Sequence, residues 1–238
     1  MSVLMGFHPV AEALRAQRPL DRILIARGAG GARIQELIDL ARDAGTPVRF
    51  EDRSALQRLA GSSAHQGVVA LGAEFRYGEY GKVAETAELV VVLDGVEDPH
   101  NLGAIVRTAH AAGASAIIIP ERRAAGLTET VAKAAAGALE HLPVARVTNI
   151  NRTLENLKER GFWIYGIDER GTEDFHEVSW NAPAAIVLGA EGKGLHQQVR
   201  EHCDVLIKIP MSGKISSLNV SVAAGIVLFA WKTRGATK

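Results

Sequence analysis

Three short stretches hold most of the side chains able to do chemistry. The first, Asp94-Gly-Val-Glu-Asp-Pro-His-Asn-Leu-Gly-Ala-Ile-Val-Arg-Thr-Ala109, offers the amide of Asn101 and the guanidinium of Arg107. The second, Leu188-Gly-Ala-Glu-Gly-Lys-Gly-Leu195, has Gly189 for close main-chain approach and Glu191 as its acid. The third, Ile209-Pro-Met-Ser-Gly-Lys-Ile-Ser-Ser-Leu-Asn219, combines the apolar Ile209, Met211 and Leu218 with the polar Ser217 and Asn219. Taken singly, the glycines of the second stretch read as turn glycines and Glu191 as a solvated acid. Together the three describe a site that binds and orients a small polar ligand.

Each stretch follows an apolar run that reads as a buried strand: Val90–Leu93, Ala184–Leu188 and Val205–Ile209. Each also leads into a helical pattern, so the loops fall where the carboxyl ends of parallel strands meet helix N-termini, the usual crevice of an open α/β sheet. Asn101 suits a helix N-cap. Leu102, Ile105, Val106 and Ala109 then form one apolar stripe, and at about 100° per residue Arg107 lies roughly 140° from Leu102, free to reach a ligand. Further strands are expected at Ala116–Ile119, Val144–Val147 and Phe162–Ile167, and helices near Thr128–Ala138, Arg152–Arg160 and Ser217–Lys232. Six apolar strands with helical crossovers imply a largely parallel sheet covered on both faces.

Residues 1–72 read as a separate small α/β unit. The pattern there is a helix from about Pro9, a strand at Arg22–Ala26, a helix at Ala32–Ala44, a strand at Val48–Phe50, a short helix at Ala55–Leu59 and a strand at Gly67–Leu71. Residues 73–85 are polar, glycine-bearing and without sustained periodicity, and read as a linker to a domain spanning 86–238. The first unit contains a decoy, glycines between strand and helix at Arg27–Arg33 with Glu51 about twenty residues on. Arg33 occupies the position of the third glycine that a dinucleotide fingerprint needs. No Walker A motif is present either, because Gly213-Lys214 is followed by Ile215.

Composition sets outer limits. Lysine plus arginine and aspartate plus glutamate both number 27 in 238 residues, so any phosphate-binding surface must be a local patch. All nine basic side chains of residues 1–72 are arginine, the residue that contacts phosphate bidentately, though seven acidic residues accompany them. The single Cys203 excludes an internal disulfide and a multi-cysteine zinc site. His100 has no second histidine at ligand spacing, and no metal is expected. No signal-peptide pattern or membrane-length apolar run occurs, and a cytoplasmic protein with no membrane partner is expected.

The three stretches, in this order, resemble the SpoU/TrmH branch of the knotted (SPOUT) RNA methyltransferases. Asn101 and Arg107, Gly189, Glu191 and Gly194, then Ile209-Pro-Met with Ser217-Leu-Asn219 carry the likeness. Gly6-Phe-His-Pro-Val-Ala-Glu-Ala-Leu14, His65-Gln-Gly-Val-Val-Ala70, Leu142-Pro-Val and Gly161-Phe-Trp-Ile-Tyr-Gly166 extend it to nearly the whole chain. They are similar to segments of the enzymes that methylate a guanosine ribose in large-subunit (23S) ribosomal RNA.

The resemblance implies a trefoil-knotted α/β methyltransferase domain, an N-terminal RNA-binding domain and a homodimer formed through the run Ser221–Trp231. It implies S-adenosylmethionine held at Gly189, Ile209, Met211 and Leu218. Arg107 would stabilise the developing 2′-oxyanion, with Asn101, Glu191, Ser217 and Asn219 fixing it and the ribose. Ala190 stands where many relatives have asparagine. Two alternatives stay open: the same chemistry on transfer RNA, and a non-catalytic RNA-binding or antibiotic-resistance-associated relative.

Overall fold

A computed structural model describes residues 2–72, 75–190, 192, 194–213 and 217–233. In chain order the elements are β1 (Ser2–Met5), α1 (Phe7–Arg15), β2 (Leu20–Ala26), α2 (Ala32–Asp43), β3 (Val48–Glu51), α3 (Arg53–Ala60), β4 (Val68–Gly72) and α4 (Tyr80–Val83). Next come β5 (Leu89–Asp94), α5 (Pro99–Ala112), β6 (Ala116–Pro120), α6 (Glu129–Ala135), β7 (Val144–Val147), α7 (Ile150–Glu159) and β8 (Trp163–Ile167). The chain continues with β9 (Glu173–Asp174), β10 (Ala184–Gly189), α8 (Gln197–Glu201), β11 (Val205–Lys208) and α9 (Val220–Lys232).

The chain divides into two units. The first is a four-stranded sheet ordered β1-β4-β2-β3, antiparallel except for the β2/β3 pair. Strand residues alternate between its faces: Ile23 and Ile25 join Val10, Leu14 and Leu37 in one core, while Leu24 and Ala26 meet Leu56 and Ala60 of α3 in another. Strand β1 has no counterpart among the sequence expectations, since Ser2–Met5 is too short to show periodicity.

Residues Leu127–His141, α6 included, belong to this first unit although they lie far along the chain. Ala132 enters its core, the Val3 amide donates to Glu129 Oε1 at 3.1 Å, and Arg18 pairs with Glu140 at 2.8 Å with both side chains largely buried. Helix α6 is shorter than the pattern implied, because Ala136 and Gly137 turn to positive φ and end it.

The second unit, Tyr77–Gly126 and Leu142 onward, is built on a seven-stranded sheet ordered β7-β6-β5-β10-β8-β11-β9. Every registered pair in it is parallel. Central strands β5 and β10 are buried on both faces, as the unbroken runs Val90–Leu93 and Ala184–Leu188 require. Residues 77–85, linker-like in composition, pack here: Ala84 is in the core with Tyr80 and Val83 against it, and the Tyr80 hydroxyl donates to Asn156 at 3.1 Å. The charged Glu79, Lys82 and Glu85 among them hide the packing from a periodicity count.

Helices α5 and α9 lie side by side and parallel. At one end Asn219 Nδ2 donates to Asn101 Oδ1 at 3.0 Å, and at the other Lys232 Nζ donates to the Ala111 carbonyl at 3.0 Å, where a cation complements a helix C-terminus. Among the described residues, no helix is long and apolar enough to cross a membrane.

Candidate active site

Strand β5 ends on Asp94, and the chain turns through Gly95, at φ 88°, towards α5. Asp98 is the N-cap, its Oδ1 accepting from the His100 amide at 2.8 Å, and Pro99 opens the first turn. Asn101 is therefore not the cap that its residue type suggested. It sits inside the first turn, buried, where Nδ2 donates to Asp98 Oδ2 at 3.3 Å and Oδ1 receives the Asn219 amide. Asn219 in turn caps α9, its Oδ1 accepting from the Ser221 amide at 2.9 Å, so α9 begins at Val220 rather than Ser217. The first and third stretches are thus joined by an amide-to-amide hydrogen bond between two helix starts. Arg107 lies farther along α5, exposed, and the buried stripe of Leu102, Ile105, Val106 and Ala109 faces the other way.

The second and third stretches form the walls of one cavity of about 260 Å³. Gly189, Ile209, Met211, Ser217 and Leu218 all line it, joined by Ile167, Asp168, Glu169 and Val220. Arg107, Asn101 and Asn219 are not among its lining residues. The volume falls just below the roughly 300 to 1,000 Å³ of drug-sized ligand sites, enough for the flat part of a nucleoside-like ligand. Leu188, Ile209, Met211 and Leu218 give apolar cover, while main-chain groups and two carboxylates supply the polar edge. This donor set fits an adenosine bearing a cationic tail. Glu191 lies outside the described residues.

The loop after β10 is held by its own chain. A Cβ built on Gly189 would stand 2.2 Å from the backbone of Gly194, so glycine is required there by the returning loop. The Gly194 amide donates to the Ala190 carbonyl at 3.0 Å and closes the loop's neck.

Two buried carboxylates from the strands flanking β10 then accept successive amides. Leu195 N–H donates to Asp168 Oδ2 at 3.4 Å and His196 N–H to Asp94 Oδ2 at 2.8 Å. His196 Nδ1 also lies 2.9 Å from Asp94 Oδ1 and donates to the ionised acid. Asp168 receives the Arg170 side chain on both oxygens, at 2.8 and 3.1 Å, and the Arg170 amide at 3.0 Å. Burial pushes the Asp168 carboxyl up, but the bonds from Arg170 and from the Leu195 amide outweigh this and hold it below its ordinary value of 3.8. Neither acid was singled out from the sequence. The available signal was an aspartate ending an apolar run, Val90–Leu93 or Phe162–Ile167, at the carboxyl edge of a parallel sheet.

Among the described residues one other cluster brings acids together: Asp174, His176 and Glu177 place possible ligand atoms within 4.8 Å of one another. Asp174 already has Lys208 Nζ at 3.4 Å, and exposed acidic groups of this kind are common without an ion.

A doubly covered parallel sheet thus carries at its carboxyl edge a small cavity of mixed polar and apolar lining, walled by two glycine- and serine-bearing loops. The chain belongs to the SpoU rRNA methylase family, whose model matches residues 88–229, while residues 3–78 match the substrate-binding domain of RNA 2′-O ribose methyltransferases. YacO of Bacillus subtilis, named for the TrmH family of tRNA/rRNA methyltransferases, is 47% identical over 95% of this chain and 93% of its own. The SpoU methyltransferase AviRb from Streptomyces viridochromogenes, solved in complex with AdoMet, superposes with a TM-score of 0.82 at 24% identity, covering 99% of this chain and 91% of AviRb. A TrmH/SpoU tRNA modifying enzyme of A. aeolicus is 31% identical, with a TM-score of 0.57 over 65% of this chain and 81% of its own. The protein is a SpoU-type RNA 2′-O-methyltransferase with the fold expected of that family.

Proposed function

We propose that the enzyme methylates the 2′-hydroxyl of a guanosine in 23S ribosomal RNA, in the manner of the RlmB-type enzymes. One observation carries the reading: the cavity walls are the second and third stretches, and the Asn101–Asn219 hydrogen bond fixes the first against them. A cofactor in the cavity and an RNA ribose presented to α5 would then share one rigid frame. The donor supplies a methyl group already activated by its sulfonium, so the protein's task is alignment, which alone can contribute on the order of 7 to 11 kcal/mol.

In this reading main-chain groups at Gly189, Ile209, Met211 and Leu218 hold the cofactor's polar edges, and the apolar side chains cover its base. Arg107 stabilises charge developing on the ribose oxygen. Because arginine stays protonated, an RNA phosphate is the better acceptor of the departing proton. Asn101, Glu191, Ser217 and Asn219 orient Arg107 and the ribose. Residues 1–72 recruit RNA and 86–238 catalyse, with 77–85, linker-like in composition, packed into the catalytic unit. A second copy covers α9, where Val222 and Phe229, seven residues apart, are 50% and 44% exposed. The protein works in the cytoplasm.

Ribosomal rather than transfer RNA is favoured by coverage, since the tRNA-modifying relative spans only about two thirds of the chain. Mapping 2′-O-methylation across 23S ribosomal RNA from cells with and without the protein tests the reading. One guanosine should lose its methyl group, and a lost mark confined to transfer RNA would replace the substrate. Failure of labelled S-adenosylmethionine to bind would favour a non-catalytic relative, and sedimentation tests the dimer.

A further inference from the structure

We propose that the turn after β6, carrying Arg122 and Arg123, is a phosphate clamp for the RNA strand that enters the active site. The inference rests on the RNA-methyltransferase reading and adds to it a binding surface on the catalytic unit itself. Both side chains are exposed, and among the described residues neither makes an ion pair or a side-chain hydrogen bond. Arg123 also adopts φ 57°, a left-handed conformation that a side chain bearing a Cβ enters at a cost and a glycine enters freely. An arginine kept in such a position points to a use for its side chain.

The turn is anchored on both sides. The Glu121 amide donates to the Val147 carbonyl at 2.9 Å, and the Ala125 amide donates to the Val96 carbonyl, also at 2.9 Å. Arg146 adds a bond from Nη2 to the Glu121 carbonyl at 3.0 Å, its guanidinium lying 4.7 Å over the Tyr77 ring. Val96 belongs to the loop between β5 and α5, so the two arginines hang from the carboxyl end of the strand next to the one that feeds Asn101 and Arg107. Around the turn Arg122, Arg123 and Arg146 stand against the acids Glu121, Glu97 and Asp98, and Arg122 and Arg123 are exposed cations that no described acid pairs. A polyanionic backbone fits: each planar fork can grip one phosphate bidentately, and a pre-anchored turn loses little freedom on binding.

The test uses the full chain and a 23S ribosomal RNA transcript, with binding measured across a salt series. Arg122→Gln with Arg123→Gln should weaken binding about tenfold or more at moderate salt. It should also flatten the slope of log affinity against log salt by about 0.7 to 0.9 for each phosphate that is no longer neutralised. S-adenosylmethionine affinity, read by calorimetry, should be unchanged. Arg123→Gly separates RNA binding from folding, because it removes the side chain while relieving the backbone: it should weaken RNA binding with a thermal midpoint equal to or above that of the wild type. A wild-type salt slope retained in the double variant overturns the clamp and leaves the methyltransferase reading standing. A wild-type protein that binds the transcript without salt dependence overturns it as well.

Discussion

The loop after β10 and the outer face of α5 are built on opposite plans. The loop is over-determined: Gly189 leaves no room for a Cβ, Gly194 closes the neck, and Asp94 and Asp168 each accept one of its last amides. Arg107, on the exposed side of α5, can move to meet a substrate. Preorganisation is worth most where the ligand is always the same, and latitude where a large substrate must be fitted on arrival. Substitutions in the loop should therefore cost stability before they cost chemistry, and substitutions on α5 the reverse.

The largest effect is expected at Gly189. From its type alone this glycine reads as one making room for a cofactor, and Gly189→Val would then abolish binding in an intact fold. The structure corrects that expectation, because even alanine puts a Cβ 2.2 Å from main-chain atoms that cannot swing aside. Gly189→Ala should destabilise the protein by more than about 3 kcal/mol, beyond ordinary overpacking, and lower soluble yield as well as cofactor affinity. A thermal midpoint within ~2–3 °C of wild type would show that the loop yields, and the contrast with α5 would collapse.

Next is Arg107→Ala. Because the side chain is exposed, its thermal midpoint should stay at the wild-type value, while single-turnover methyl transfer slows about a hundredfold, or about 2.7 kcal/mol of barrier. Arg107→Lys keeps the cation without the planar fork and should restore little. A near-normal rate in the alanine variant would leave Arg107 as a solvated helix residue.

Much of this was legible in the sequence, for a reason particular to each part. Apolar runs such as Val90–Leu93 and Ala184–Leu188 announce buried parallel strands because both faces are covered. The side-chain period of α5 alone places Arg107 outside the core. The strand pattern located the loops at the carboxyl ends of parallel strands, and the family resemblance singled out Gly189, Ile209, Met211 and Leu218 within them, all four of which line the cavity. What was not legible depends on pairings distant in sequence. Asn101 resembles a cap, yet the cap is Asp98 and Asn101 instead meets Asn219, 118 positions away. Asp168 has an ordinary sequence neighbourhood, and only the folded loop shows it 27 residues from the amide it holds. The attachment of Leu127–His141 to the first unit depends on pairs such as Arg18–Glu140, which no local period encodes.

A third, smaller effect is expected at Asp168. Asp168→Asn keeps the shape but loses the charge that receives Arg170, and should destabilise by about 1–3 kcal/mol at pH 7. Because the folded carboxyl titrates below its ordinary value, its contribution is present above about pH 4 and is lost as pH falls through the lowered folded value. The stability gap between wild type and Asp168→Asn should therefore narrow on acidification. A gap constant from pH 6 to pH 2, measured by urea unfolding, would mean that the charge contributes nothing.

The smallest effect is expected where the two plans meet, at Asn219, which caps α9 through Oδ1 and holds Asn101 through Nδ2. Asn219→Ala removes both functions and should cost about 1 kcal/mol of stability, the usual value of a lost cap. Asn219→Ser separates them: the hydroxyl can still accept from the Ser221 amide but cannot reach Asn101 as the carboxamide does. If the tie to Asn101 matters for aligning α5 with the cavity, the serine variant should keep nearly wild-type stability and S-adenosylmethionine affinity yet transfer methyl groups more slowly. If its rate matches wild type while the alanine variant is slow, the cap alone accounts for Asn219 and α5 is aligned by its packing against α9.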